Sequence, residues 1–252
     1  MRRSRERVGR WRRRCVVAGV VVVLASTGCG SDPSATSTPS TSSGTPAESP
    51  PPTSTVGVPD GTPPGDGVRC VLRLHGKGGT GGETFEADGF TEVSPTGNAD
   101  GWGARQWLYF PDDAYVEARD IVATAATEAG CTRLVVNGFS NGAAFAAKLW
   151  CRGETFDGRL AGVVIDDPVP DNGVAECSPP TDVAGALYWT GGLESDAQPD
   201  ADCALIDWTC EGGTTVGIEA YAASLGLDIQ PSPFTEHEWY VDAPEIGAWI
   251  AS

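Results

Sequence analysis

Short bursts of alternating hydrophobic and polar residues mark the chain from about position 68 onward. Val68–Leu74 (VRCVLRL) is rich in strand formers and stops at His75-Gly-Lys-Gly-Gly79, which predicts a strand with a tight turn at its end. Gln106–Phe110 predicts a second strand, closed by Pro111, with Asp112 and Asp113 able to cap the next helix. Along that helix Ala118, Ile121, Val122, Ala125 and Ala129 recur at helical spacing until Gly130 ends it. Arg133–Asn137 reads as a third strand, followed by a helix over 141–151 whose small Ala143, Ala144, Ala146 and Ala147 allow close approach. Leu160–Ile165 and Val183–Trp189 predict two further buried strands. A helix near 214–225, a strand near 227–234 and a helix near 244–251 close the pattern. Strands alternating with helices predict an α/β domain, a mostly parallel sheet with helices on both faces.

Before this domain the pattern changes twice. Eight of the 17 basic residues fall within the first 14 positions, and the apolar run Cys15–Ala25 follows them. The run is too short to span a bilayer comfortably but suits a secretory leader. Ser26-Thr27-Gly28 then precede Cys29, so residues 1–28 resemble a lipoprotein-type signal peptide in which Cys29 is lipidated, with cleavage and plain secretion as the alternative. Residues 29–67 are expected to form a linker. Of the 37 residues in 31–67, 29 are Pro, Ser, Thr or Gly, which leaves almost nothing to bury. As a coil this segment would reach about 35 Å. Residues 68–252 remain as one catalytic-sized domain, expected to be monomeric.

Charge narrows the function. Beyond residue 28 there are nine cationic against 33 acidic side chains, net −24, in a chain of 252 residues. That excludes a phosphate-tracking nucleic-acid surface, and it leaves membrane association to the N-terminal lipid anchor alone. Six cysteines lie in the domain (Cys70, Cys131, Cys151, Cys177, Cys203 and Cys210), an even number that points to disulfides and export. With no C-x-x-C spacing and only two histidines, no metal site is expected, and nothing calls for a cofactor.

The chemistry concentrates at Gly138-Phe-Ser-Asn-Gly142, a G-x-S-x-G pattern between a strand and a small-residue helix. That context suits a nucleophile elbow, in which Ser140 sits on a strained turn above a helix N-terminus. A serine hydroxyl needs a base, and only His75 and His237 exist. His75, in its glycine-rich turn, reads as structural. His237, late in the chain within Thr235-Glu-His-Glu-Trp239, reads as the base. The acid is expected on the loop after Trp189, where Glu194 and Asp196 are both available and Asp196 is favoured. The oxyanion donors are expected to be the backbone N–H of Asn141 and that of Lys77 or Gly78. Trp102, in Gly101–Trp107, is a candidate for lining the substrate pocket.

On His75-Gly76, Gly138–Gly142, the Gly191–Asp196 loop and His237, the domain resembles the α/β-hydrolase superfamily from about Val68 to its C-terminus. The nearest likeness is to small secreted serine esterases of the polyhydroxybutyrate-depolymerase and feruloyl-esterase kind. The resemblance implies a compact fold without a large lid and a serine hydrolase acting on small or polymeric carboxylic esters through an acyl-enzyme. Its strand order implies a Cys70–Cys131 disulfide, with Cys203–Cys210 and Cys151–Cys177 completing the scheme. A peptidase or acyltransferase on the same triad, and a non-catalytic binding lipoprotein, are the alternatives.

Overall fold

A computed structural model describes residues 67–191 and 216–252. Cys29, Glu194, Asp196, Cys203 and Cys210 lie outside them. Nine strands and four α-helices follow one another in these segments. They are β1 (Val68–Leu74), β2 (Phe85–Ala87), β3 (Phe90–Val93), β4 (Ala99–Gly101), β5 (Ala104–Gln106), α1 (Asp112–Glu128), β6 (Cys131–Phe139), α2 (Asn141–Cys151), β7 (Leu160–Asp166), β8 (Ala184–Trp189), α3 (Ile218–Leu225), β9 (Ile229–Pro231) and α4 (Pro244–Ala251). Seven strands make one sheet in the order β2-β3-β1-β6-β7-β8-β9, parallel throughout except for the antiparallel β2–β3 edge. The remaining pair, β4–β5, is a separate hairpin.

Side-chain alternation sorts the sheet's two faces. Leu72, Leu74, Leu134, Val136, Val163, Ile165 and Leu187 join α1, α2 and α3 in the larger core. Val71, Val135, Val164 and Ala186 face the other way, against Ile246 and Ile250 of α4. Strands covered on both faces carry near-continuous apolar runs, which is why β6 and β7 read so clearly in the sequence. Burying one such Val, Ile or Leu contributes about 1.5–3 kcal/mol. Close packing sets two strand glycines: a Cβ on Gly162 would stand 2.0 Å from Trp249 of α4, and one on Gly185 2.6 Å from Trp150 of α2.

Two disulfides are present among the described residues, Cys70–Cys131 and Cys151–Cys177, both in the expected pairing. The first joins β1 to β6, and the second ties the last residue of α2 to the loop after β7.

The expected strand at Gln106–Phe110 is not one. Only Gln106 belongs to a strand, β5, and the neighbour of β1 is instead Phe90–Val93. The alternation had reported burial correctly, since Trp107 and Tyr109 are fully buried. The backbone is satisfied by side chains rather than by a neighbouring strand. Asn141 accepts from the Trp107 N–H at 2.7 Å and donates to its carbonyl at 3.1 Å. Asn98 does the same for Leu108 at 2.8 and 2.9 Å, and buried Lys148 donates to the Tyr109 carbonyl at 2.6 Å from above the Phe110 ring. Burial holds the Lys148 ammonium below its ordinary pKa. Asp112 and Asp113 stand in the first turn of α1 rather than capping it; the cap position is Pro111. Elsewhere the expected elements hold, with β6 longer and β9 shorter than expected.

Gly162→Ala should lower stability by about 1–3 kcal/mol in chemical denaturation, because a new methyl group would overlap the Trp249 ring and force α4 or the ring to shift. The double variant Gly162→Ala/Trp249→Leu should recover part of that loss.

Candidate active site

The carboxyl ends of β6 and β7 build the site. At the end of β6 the chain turns through Ser140, whose φ of 55° and ψ of −118° lie in a region that few non-glycine residues adopt, and α2 begins at the next residue. Glycines flank the serine for steric reasons. A Cβ on Gly138 would lie 2.2 Å from the Gly142 carbonyl, and one on Gly142 would lie 2.1 Å from the Leu74 carbonyl of β1. The elbow is therefore wedged between its own helix and the neighbouring strand. A hydroxyl on a left-handed strand-to-helix turn, in a parallel sheet with helices on both faces, decides the architecture. This is the α/β-hydrolase fold.

In this hydrolase fold His237, the expected base, stands beside the serine turn. His237 stacks on Phe139, the residue before Ser140, with ring centroids 4.5 Å apart. Its Nδ1 is hydrogen-bonded to Oδ2 of Asp167. Among the described residues no hydrogen bond joins Ser140 Oγ to the imidazole, a looseness common in serine–histidine pairs without bound substrate.

The carboxylate that meets His237 is one the sequence analysis did not consider. Asp167 follows directly on β7, with φ of 47° and no exposed surface. Its carboxylate accepts from the Thr190 N–H at 3.0 Å and the Thr190 hydroxyl at 2.7 Å, besides His237. The loop after Trp189 thus contributes Thr190, which orients the acid. Asp196 and Glu194, expected as the acid, lie further along that loop, outside the described residues, and the Nδ1 position is taken by Asp167. Asp166-Asp167-Pro168 at the end of a hydrophobic strand beside the elbow strand was the available signal, and it keeps the chain order serine, acid, histidine.

The remaining expectations concern the oxyanion side. The N–H of Asn141 has no partner among the described residues, and the carbonyl of Ser140 takes the N–H groups of Ala143 and Ala144 instead. Of the two alternatives on the first turn, Gly78 donates its N–H to the Arg105 carbonyl at 2.9 Å. The turn runs alongside the serine, since a Cβ on Gly76 would lie 3.2 Å from Cβ of Ser140. His75 is structural, as expected. It is buried, its Nδ1 donates to the Gly76 carbonyl at 2.8 Å, and its Nε2 accepts from the Gly97 N–H at 3.0 Å. Burial, with Arg105 adding, lowers its pKa below 6.5 and keeps it neutral. Trp102 is 59% exposed at the tip of the β4–β5 hairpin, with Lys77 Nζ 5.2 Å from its ring centre, so it is a rim residue and not core.

No family model and no curated protein matches the chain. Solved structures similar to it include the carboxylesterases of Bacillus cereus (16% identity, TM-score 0.42, covering 73% of this chain and 87% of that one) and Mesorhizobium loti (16%, 0.43, 73% and 88%). An esterase of Pyrococcus furiosus is similar at 11% identity and a TM-score of 0.40, over 73% and 80% of the two chains. Strand order and the elbow, rather than these likenesses, define the hydrolase fold.

Because Asp167 is hydrogen-bonded to His237 Nδ1, Asp167→Asn should lower kcat by about 10³–10⁴-fold, while Asp196→Asn should change it less than about threefold. Steady-state kinetics on one ester substrate compares the two directly, and the reverse ranking would return the acid to the loop.

Proposed function

We propose that the protein is a serine carboxylic ester hydrolase. The observation that carries this reading is the left-handed Ser140 beside a histidine whose far nitrogen is held by a buried carboxylate. Ser140 Oγ attacks the acyl carbonyl as His237 Nε2 takes its proton, and Asp167 steadies the imidazolium that forms. The N–H groups of Asn141 and Lys77 receive the negative charge on the carbonyl oxygen; losing one such donor costs about 3–4 kcal/mol of barrier. His237 then returns the proton to the departing alcohol. Water, activated by the same imidazole, frees the acid and regenerates the serine.

An extracytoplasmic setting is part of the proposal. Two disulfides in a domain of this size favour an oxidising compartment, and a leader ending at Cys29 would deliver the chain there. Acidic composition disfavours anionic esters.

A fluorophosphonate probe should label the wild-type protein at Ser140, and Ser140→Ala should abolish labelling and lower ester turnover by on the order of 10⁴-fold or more. Hydrolysis of short nitrophenyl esters without cleavage of peptides separates the esterase from a peptidase on the same residues. Equal labelling of the wild type and Ser140→Ala ends the proposal.

A further inference from the structure

His237 is carried by residues 232–243, which form no helix or strand. Something other than regular structure must therefore hold the imidazole in place. Three consecutive residues just beyond it are each tied to a different strand. Trp239 Nε1 donates to Asn137 Oδ1 at 2.9 Å, the Tyr240 N–H donates to Asp166 Oδ2, and the Val241 carbonyl accepts from Arg73 Nη1 at 2.9 Å. Arg73, Asn137 and Asp166 stand on β1, β6 and β7, each two residues beyond Val71, Val135 and Val164 of the α4-facing core. All three are buried near the strand ends, Arg73 in register with Asn137 and Asp166 one step further on, beside Phe139. Arg73 also binds Asn137 at 2.7 Å and Glu92 of β3 at 3.2 Å.

We propose that Asp166 is a positioning residue for the base, an ionised carboxylate that fixes the loop three residues beyond His237 and so sets the imidazole against Ser140. The inference rests on the esterase reading above. A neutral acceptor would satisfy the Tyr240 N–H at lower cost. Asp166 is fully buried, its Oδ1 has no hydrogen-bond partner among the described residues, and it is the chain neighbour of Asp167. A carboxylate in such a place costs stability, which points to a use in holding the loop. The groups that face it are Asp167, Arg73 with its partner Glu92, Tyr188 of β8, Tyr240 of the loop, and Glu245 of α4, which binds the Tyr188 hydroxyl. Burial first, then Asp167, raise its pKa from 3.8 to about 7, against the Tyr240 N–H and Arg73. Protonation would add a hydrogen to the carboxyl and weaken its hold on Tyr240 as pH falls through that value.

The test is the acid limb of log kcat/KM for p-nitrophenyl acetate between pH 5 and 9. In the wild type two groups must lose protons, His237 and Asp166, so the limb should reach a slope of two. Asp166→Asn, which still accepts from Tyr240 but cannot ionise, should show a slope of one. Asp166→Ala should lower kcat by about 10- to 100-fold with KM within about threefold, and Asn should recover most of that loss. The sign for stability is opposite to that for activity. A raised carboxyl pKa means that the folded state loses stability as pH rises from about 4 to about 7, so Asp166→Asn should raise Tm more at pH 8 than at pH 5. A wild type that labels with fluorophosphonate and hydrolyses the ester, yet has a one-proton limb, overturns this inference alone. So do equal losses in the Asn and Ala variants. A wild type that neither labels nor hydrolyses overturns both readings. If Asp166→Ala does not fold, the slope of Asp166→Asn decides.

Discussion

Two neighbouring parallel strands end on left-handed residues, Ser140 after β6 and Asp167 after β7, and the site depends on both turns. Each such conformation costs about 1–3 kcal/mol and survives only where its surroundings leave no alternative. Here the two turns are bonded to each other. The Ser140 N–H donates to the Asp166 carbonyl at 3.1 Å, and the Val169 N–H reaches the Ser140 carbonyl at 3.4 Å. Ser140 and Asp167 therefore belong to one hydrogen-bonded piece of backbone. The histidine is the visitor, brought by a loop from the far end of the chain.

Beneath that loop the sheet changes character within a single residue step. Valines at 71, 135 and 164 face α4, and the next residues on the same face are Arg73, Asn137 and Asp166. An apolar layer sealed by a polar row does two things that neither does alone. The valines exclude water and anchor the strands, while the polar row supplies directional bonds to a segment with no secondary structure of its own. The two histidines show the same division. His75 spends both ring nitrogens on backbone groups and braces a turn, whereas His237 spends one on Asp167 and keeps the other for chemistry.

Much of this was legible in the sequence. The elbow and the parallel sheet followed from local patterns, because a strand buried on both faces and a glycine-flanked serine leave strong signatures, and the pairing of two disulfides followed from the strand order that the resemblance implied. The acid did not, for a physical reason. Chain order allows any carboxylate between Ser140 and His237, and only the folded loops decide which one meets Nδ1. Likewise the alternation at 106–110 reported which side chains are buried but not what satisfies the backbone between them. That task fell to Asn98, Asn141 and Lys148, distant in sequence and polar in type. Phe90–Val93, four residues in a polar stretch, is too short to stand out, yet it completes the sheet beside β1.

Among the described residues, α4 (Pro244–Ala251) supplies the helical cover for the second face of the sheet. It is short, two turns long, and it reaches Val71, Val135 and Val164 through Ile246 and Ile250. A molecule in which those two turns fray uncovers a greasy flank beneath the histidine loop, the kind of surface that chaperones and proteases recognise.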